Sequence, residues 1–226
     1  MNDVFDRVEK KYILNKNQFE TIKKILKKHM NTDPYHDDEY TISSIYLDTD
    51  NFDLIRTSLE KPIYKEKVRL RSYGVPSLDT KVFLEIKKKY NGHGNKRRIG
   101  LKLKDAYEFI EGKIEIDSQK GKELKYTINH YNLKPKIYIA YDRLAFQDNE
   151  FRVTLDRNVR SRIEDIKLED GDAGKLLDKD TFIMEAKAIN AYPTWFIELL
   201  NEYKLYPCSF SKYGSIYKKL KKEGKI

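Results

Sequence analysis

The stretch Y-K-E-K-V-R-L-R-S-Y, residues 64–73, sets Lys65, Lys67, Arg69 and Arg71 on alternate positions. A strand has a side-chain period of two, so these four cations share one face while Val68 and Leu70 point the other way, toward a core. Gly74 and Pro76 stop the strand after Ser72. Like charges on one strand face repel, and an anionic partner would offset that repulsion.

The same habit recurs outward from this strand. Arg7, Glu9 and Lys11 alternate with Val8 and Tyr12; Glu85, Lys87 and Lys89 oppose Leu84 and Ile86; Tyr141 and Arg143 align. Arg152, Thr154 and Asp156 oppose Val153 and Leu155, and Glu185 and Lys187 oppose Met184 and Ala186. Strands are expected at 7–14, 40–48, 65–72, 81–89, 96–103, 135–146, 151–156, 160–168 and 181–188, with 91–95 a loop and Asp148-Asn149 a tight turn. Helices are expected from the Asn15 cap with Gln18 at the capping-box position, and at 51–59, 104–111, 119–131, 193–203 and 211–222. Pro193 is placed in the first turn of its helix. The strands outnumber the long helices and suit antiparallel pairing. The expectation is an α+β domain over 1–226, its sheet closed or strongly curved.

Composition narrows the partners without choosing among them. Of the 226 residues 36% are charged and the net charge is +9, which favours nucleic acid, phosphate compounds or an acidic membrane. Cys208 is the only cysteine, which excludes an internal disulfide and a cysteine-based zinc site. His29, His36, His93 and His130 follow no ligand spacing. Met1 to Asp6 shows no signal sequence and no run is long enough to span a membrane, so a cytoplasmic protein is expected. The polar strand faces look either to bulk water or to a shared interior. Arg suits bidentate phosphate contacts, Lys supplies point charges, and the recurring Glu suits Mg²⁺ or Mn²⁺.

These residues carry a resemblance. R-V-E-K-K-Y (7–12), S-S-I-Y-L-D (43–48), K-V-R-L-R-S-Y-G (67–74), F-L-E-I-K (83–87), N-K-R-R (95–98), A-Y-D-R-L-A-F (140–146), R-V-T-L-D (152–156), M-E-A-K (184–187) and F-S-K-Y (210–213) follow one another in order. Together they resemble the VTC-type polyphosphate polymerase domains of the triphosphate tunnel metalloenzyme (CYTH-like) superfamily. The resemblance implies a closed antiparallel barrel, an eight-stranded tunnel, with helices packed outside and a C-terminal helix near its mouth. It implies transfer of the γ-phosphoryl group of ATP to inorganic polyphosphate with Mn²⁺ or Mg²⁺. Lys11, Arg69, Arg71, Lys87, Arg143 and Arg152 would line the tunnel as catalytic cations. Tyr141, Ser211 and Lys212 would contact terminal phosphates, with Lys67, Lys96 and Lys187 as further substrate cations. Glu185 would hold the metal, with Glu9 as a second ligand or an ion-pair partner.

One departure stands out. The superfamily's opening E-x-E-x-K appears here as Arg7-Val8-Glu9-Lys10-Lys11, which removes the first acidic position. The resemblance also implies a stand-alone catalytic domain without the regulatory and membrane segments of fungal versions. It names ATP and inorganic polyphosphate or triphosphate as partners, excludes nucleic acid, and leaves a membrane-associated partner protein unidentified. Charge alone does not separate a polymerase from a triphosphatase of the same fold or from a polyphosphate-binding module.

Overall fold

The computed structural model describes residues 7–33 and 38–226, with Arg7 described through its backbone. The readings at Met1–Asp6 and His36 lie outside the described residues. In chain order the elements begin β1 (Arg7–Leu14), α1 (Lys16–His29), β2 (Asn31–Thr32), β3 (Tyr40–Asp48) and α2 (Asp53–Leu59). Then come β4 (Tyr64–Tyr73), β5 (Lys81–Tyr90), β6 (His93–Lys102), α3 (Leu103–Ile110) and α4 (Gln119–His130). The chain ends with β7 (Lys134–Asp148), β8 (Phe151–Arg162), β9 (Lys175–Leu176), β10 (Phe182–Ile189), α5 (Thr194–Glu202) and α6 (Lys212–Lys222). Among the described residues no helix is long and apolar enough to cross a membrane.

The chain falls into two compact units. The first holds the described residues up to Tyr40 together with 141–159 and 178–210. Here β10 pairs antiparallel with both β1 and β8. Alternation sends Tyr12, Leu14, Val153, Leu155, Met184 and Ala186 into one core, where Phe19, Ile22 and Leu26 of α1 and Phe196 of α5 meet them. Asn15 caps α1 with the complete capping box, its side chain accepting from the Gln18 N–H and Gln18 reaching back to the Asn15 N–H. His29 is stacked on Trp195 at 4.5 Å, a packing role.

The second unit holds 41–140, 160–177 and 211–226. Its strands β3, β4, β5 and β6 pair antiparallel in that order. Val68, Leu70, Leu84 and Ile86 are fully buried against α3 and α4 through Phe109 and Leu124. Full burial of each such side chain contributes about 1.5–3 kcal/mol. Gly214, in the first turn of α6, lets that helix approach α2, since a Cβ there would stand 3.0 Å from Leu59.

The closed barrel is not what forms. Hydrogen bonds order the strands β1-β10-β8-β7-β3-β4-β5-β6, with β2 added to β7 and β9 to β8. The sheet has ten strands, eight of them in that order, so the expected count of eight is met only in part, and among the described residues its ends, β1 and β6, do not pair with each other. Each end strand has a reason. The Cys208 N–H donates to the Lys11 carbonyl at 2.8 Å on β1, and β6 presents exposed Lys96, Arg97 and Arg98, charges that discourage a further strand.

Smaller corrections follow from turn chemistry. The expected 91–95 loop is a two-residue turn, Asn91-Gly92, with φ of 45° and 87°, so His93, Gly94 and Asn95 already belong to β6. The turn expected at Asp148-Asn149 falls one residue later, between the end of β7 and Phe151, with Asn149 at φ 46°. The separate strand expected at 160–168 is instead the end of β8, which runs unbroken to Arg162. Pro193 stands before the first turn of α5 as its cap, leaving Thr194 to begin the helix.

Candidate functional site

In the second unit, register turns the alternation of β4 into a three-strand face. Lys67 lies opposite Lys87, and Lys87 opposite Lys96; Arg69 lies opposite Glu85, and Glu85 opposite Arg98. Lys65 and Lys89 form one end row, and Arg71 and Phe83 another. Glu85 is the one carboxylate that these three strands place on that face. It accepts from Arg69 Nε at 2.8 Å, and Lys96 Nζ stands 2.6 Å from its other oxygen. Burial resists ionisation of Glu85, but Arg69, then Arg71 and Lys96, outweigh it and hold its pKa down to about 2. Burial also lowers the pKa of Lys96 despite the opposing pull of Glu85, and Arg69 and Arg71 add to that lowering.

Arg69 is braced a second time. Its Nη1 donates to Tyr46 Oη at 3.2 Å, and the Tyr46 ring stacks on Tyr213 at 4.3 Å. Tyr213 Oη donates to Asp48 at 2.8 Å, and Asp48 also accepts the N–H groups of Leu54 and Ile55 at the start of α2. Burial and the neighbouring Asp48 carboxylate push the Tyr213 hydroxyl pKa far up, so it stays a donor. Ser211 caps α6, accepting from the Gly214 N–H and from Lys67 Nζ, each at 3.2 Å. Lys212 follows as the first residue of α6. This unit therefore brings together Lys67, Arg69, Arg71, Lys87, Lys96 and Ser211.

The first unit holds the other expected residues on a different kind of face. Glu9 lies opposite Lys187 and Lys11 opposite Glu185, and β10 carries the rows on to Arg152 and Thr154. Lys11 Nζ is 2.7 Å from Glu9 and 3.3 Å from Glu185, and Lys187 Nζ is 2.5 Å from Glu185 and 3.7 Å from Glu9. Two acids and two ammonium groups thus form a closed square. Burial opposes the charged form of Glu185, but Lys187, Lys11 and Arg143 together bring its pKa well below the usual carboxylate range. Lys11 is held above its ordinary value by Glu185 and Glu9, against the opposing effect of burial.

Arg143 and Arg152 each have a carboxylate that the sequence reading did not assign. Arg143 donates through Nε and Nη2 to both oxygens of fully buried Asp156, at 2.6 and 2.8 Å, and its guanidinium lies 5.2 Å from the Tyr141 ring. Arg152 Nη2 donates to Asp33 at 2.7 Å. Asp33 lies 119 positions away in sequence, beyond any local pattern. Asp48, Tyr213 and Asp156, by contrast, sit inside the quoted motifs, where they themselves were assigned no role.

The donor set of the first unit fits a divalent ion. Glu9 and Glu185 offer ionised carboxylate oxygens, and Thr154 Oγ1, opposite Glu185 in register, is buried with no hydrogen-bond partner among the described residues. Among the described residues there is no group of three or more His, Cys, Asp or Glu able to hold a metal. Two carboxylates are what Mg²⁺ commonly takes from a protein, with water and substrate phosphates completing its oxygens.

A family model described as the VTC domain matches residues 6–221. The chain is 32% identical over 161 residues to vacuolar transporter chaperone complex subunit 4 of Trypanosoma brucei brucei, covering 56% of this chain and 20% of that protein. It is 29% identical over 195 residues to the Schizosaccharomyces pombe subunit 4, covering 71% of this chain and 27% of that protein. The chain thus spans about a fifth to a quarter of the length of these curated relatives. Among solved structures, a Hippeastrum adenylyl cyclase candidate described as having a dominant triphosphatase activity aligns with a TM-score of 0.57 and 12% identity, covering 98% of this chain and 97% of that one. A Bacillus halodurans adenylate cyclase candidate aligns with a TM-score of 0.55 and 14% identity, covering 91% and 93%. At these identities the structural likeness is one of fold.

Proposed function

The chain belongs to the VTC domain family, within the triphosphate tunnel (CYTH-like) superfamily, and from that premise we propose that it is an ATP-dependent polyphosphate polymerase. In this reading it moves the γ-phosphoryl group of ATP onto inorganic polyphosphate. The observation that carries the reading is the β4–β5–β6 face, where rows of Lys and Arg stand around the single carboxylate Glu85. Such a face has a positive excess that a chain of phosphates matches, and Glu85 with Tyr46 holds the Arg69 fork in place before any ligand arrives.

Phosphoryl transfer asks little covalent chemistry of a protein. It needs the reacting oxygens held in line and the charge on the transferred group matched. Arg69 and Arg71 supply planar donors to phosphate oxygens, and Lys67, Lys87 and Lys96 supply point charges along the chain. Arg143, aimed by Asp156, and Arg152, aimed by Asp33, are the corresponding phosphate contacts of the first unit, with Lys11, Lys187 and Tyr141. Ser211 and Lys212, at the N-terminus of α6, suit a terminal phosphate. Glu9 and Glu185 would hold Mn²⁺ or Mg²⁺, which when bound neutralises charge on phosphate oxygens. Lys11 and Lys187 keep that acid pair compensated.

Incubation with γ-labelled ATP and Mn²⁺, followed by gel separation, tests the proposal. A ladder of long products is expected. Free phosphate alone would mean a triphosphatase, and tight polyphosphate binding without turnover would mean a binding module.

A further inference from the structure

The cationic face of the second unit has two unlike ends. At the Lys65–Lys89 end, the aromatic pair Tyr64 and Tyr90 lies opposite in register but alternates onto the other side of the strands. At the far end, the face itself becomes aromatic. Tyr73 follows Arg71 at the strand period, and Phe83 lies directly opposite Arg71. The Phe83 and Tyr73 rings meet edge to face at 6.0 Å and 81°. The Arg98 guanidinium lies over the Phe83 ring at 4.7 Å.

Arg98 is exposed and makes no hydrogen bond or ion pair among the described residues; its contact is the ring beneath it. Tyr73 is 40% exposed. Arg98 stands in the row of Glu85, yet that carboxylate is occupied by Arg69 and Lys96. What remains is a planar, positively charged surface backed by one ring and flanked by another. Planar cations and aromatic rings both stack on nucleobases, whatever the base, because every base has a π-face.

We propose that Tyr73, Phe83 and Arg98 form the seat for the base of a nucleoside triphosphate whose phosphates run along the Arg69 and Lys67 rows. This rests on the reading of the face as a phosphate site and adds the direction in which the donor lies on it. Rows on one strand face repeat about every 7 Å, so a base stacked at the Phe83 end sets the sugar and phosphates over the rows that follow. The three residues determine donor preference: a nucleotide gains from stacking, and an inorganic triphosphate does not.

Calorimetric binding of ATP and of inorganic tripolyphosphate to wild type, Phe83→Leu, Tyr73→Ala and Arg98→Lys tests this. Arg98→Lys keeps the charge and loses the plane, and its exposed position protects the fold if Phe83→Leu perturbs it. The expected result is ATP binding weaker by about fivefold or more in each variant, with tripolyphosphate within about twofold of wild type. Equal losses for both ligands, or no loss for ATP, would overturn the base seat while leaving the phosphate site standing. A wild-type protein that binds neither ligand would overturn the phosphate reading and the base seat with it.

Discussion

Two strand faces of this molecule use the same alternation and arrive at opposite electrostatics. On β1, β10 and β8, cations are matched one by one: Lys11 and Lys187 by Glu9 and Glu185, Arg152 by Asp33, and Arg143, from β7, by Asp156. On β4, β5 and β6, Glu85 stands alone among Lys and Arg, and accepts two of them. A face neutralised from within is pre-organised, and a ligand there must displace or share existing partners. A face whose own strands set one carboxylate among many cations carries a positive excess that draws anions from outside.

The largest expected effect falls on the neutral face. Glu185→Gln should lower polymerase turnover about a hundredfold or more, while polyphosphate binding, measured by retention on a polyphosphate matrix, stays near wild type. Wild-type turnover at saturating Mn²⁺ would show that the acid square does not hold the metal. Next come Arg69→Lys and Arg71→Lys. Each should cut ATP turnover about tenfold or more with an unchanged circular dichroism spectrum, because an ammonium cannot reproduce the guanidinium fork. A loss no greater than that of a distant lysine would reduce the face to general basicity.

Glu85→Gln should act mainly on stability, by about 1–3 kcal/mol in urea unfolding near neutral pH, since partly exposed Arg69 and Lys96 lose their shared anchor. The pH dependence has a definite sign. The folded pKa of Glu85, about 2, is depressed below its ordinary value of 4.5, so its contribution is complete above about pH 4.5 and is lost as pH falls toward 2. The gap between wild type and Glu85→Gln should therefore narrow across that window; a constant gap would mean that Glu85 contributes by packing alone. The smallest effect is expected at Lys24, exposed on α1, where Lys24→Ala should leave turnover and stability within error.

Local periodicity was enough to read much of this. The face of Lys65, Lys67, Arg69 and Arg71, the opposed Val68 and Leu70, the Asn15–Gln18 capping box and the order of most elements follow from patterns spanning fewer than ten residues. Asn91-Gly92 was also legible in principle, since Asn-Gly between alternating strands is a two-residue turn signal; the glycine at position 94 drew the reading toward a longer loop.

What the amino-acid sequence determined by itself is which side chains share a strand face, because that depends only on the two-residue period of the backbone. What tertiary structure alone decided is which charges are already matched. Asp33 reaches Arg152 across 119 positions, Glu85 sits under Arg69 and Lys96 through the pairing of three strands, and Tyr213 comes from the last helix to brace Tyr46 beside Arg69. Whether the strand order closes is likewise a matter of pairing, and β1 and β6 each end it with an edge partner or an edge charge of their own. Coulomb energy and hydrogen bonding depend on separation in space, and a one-dimensional pattern carries that separation only within a single element.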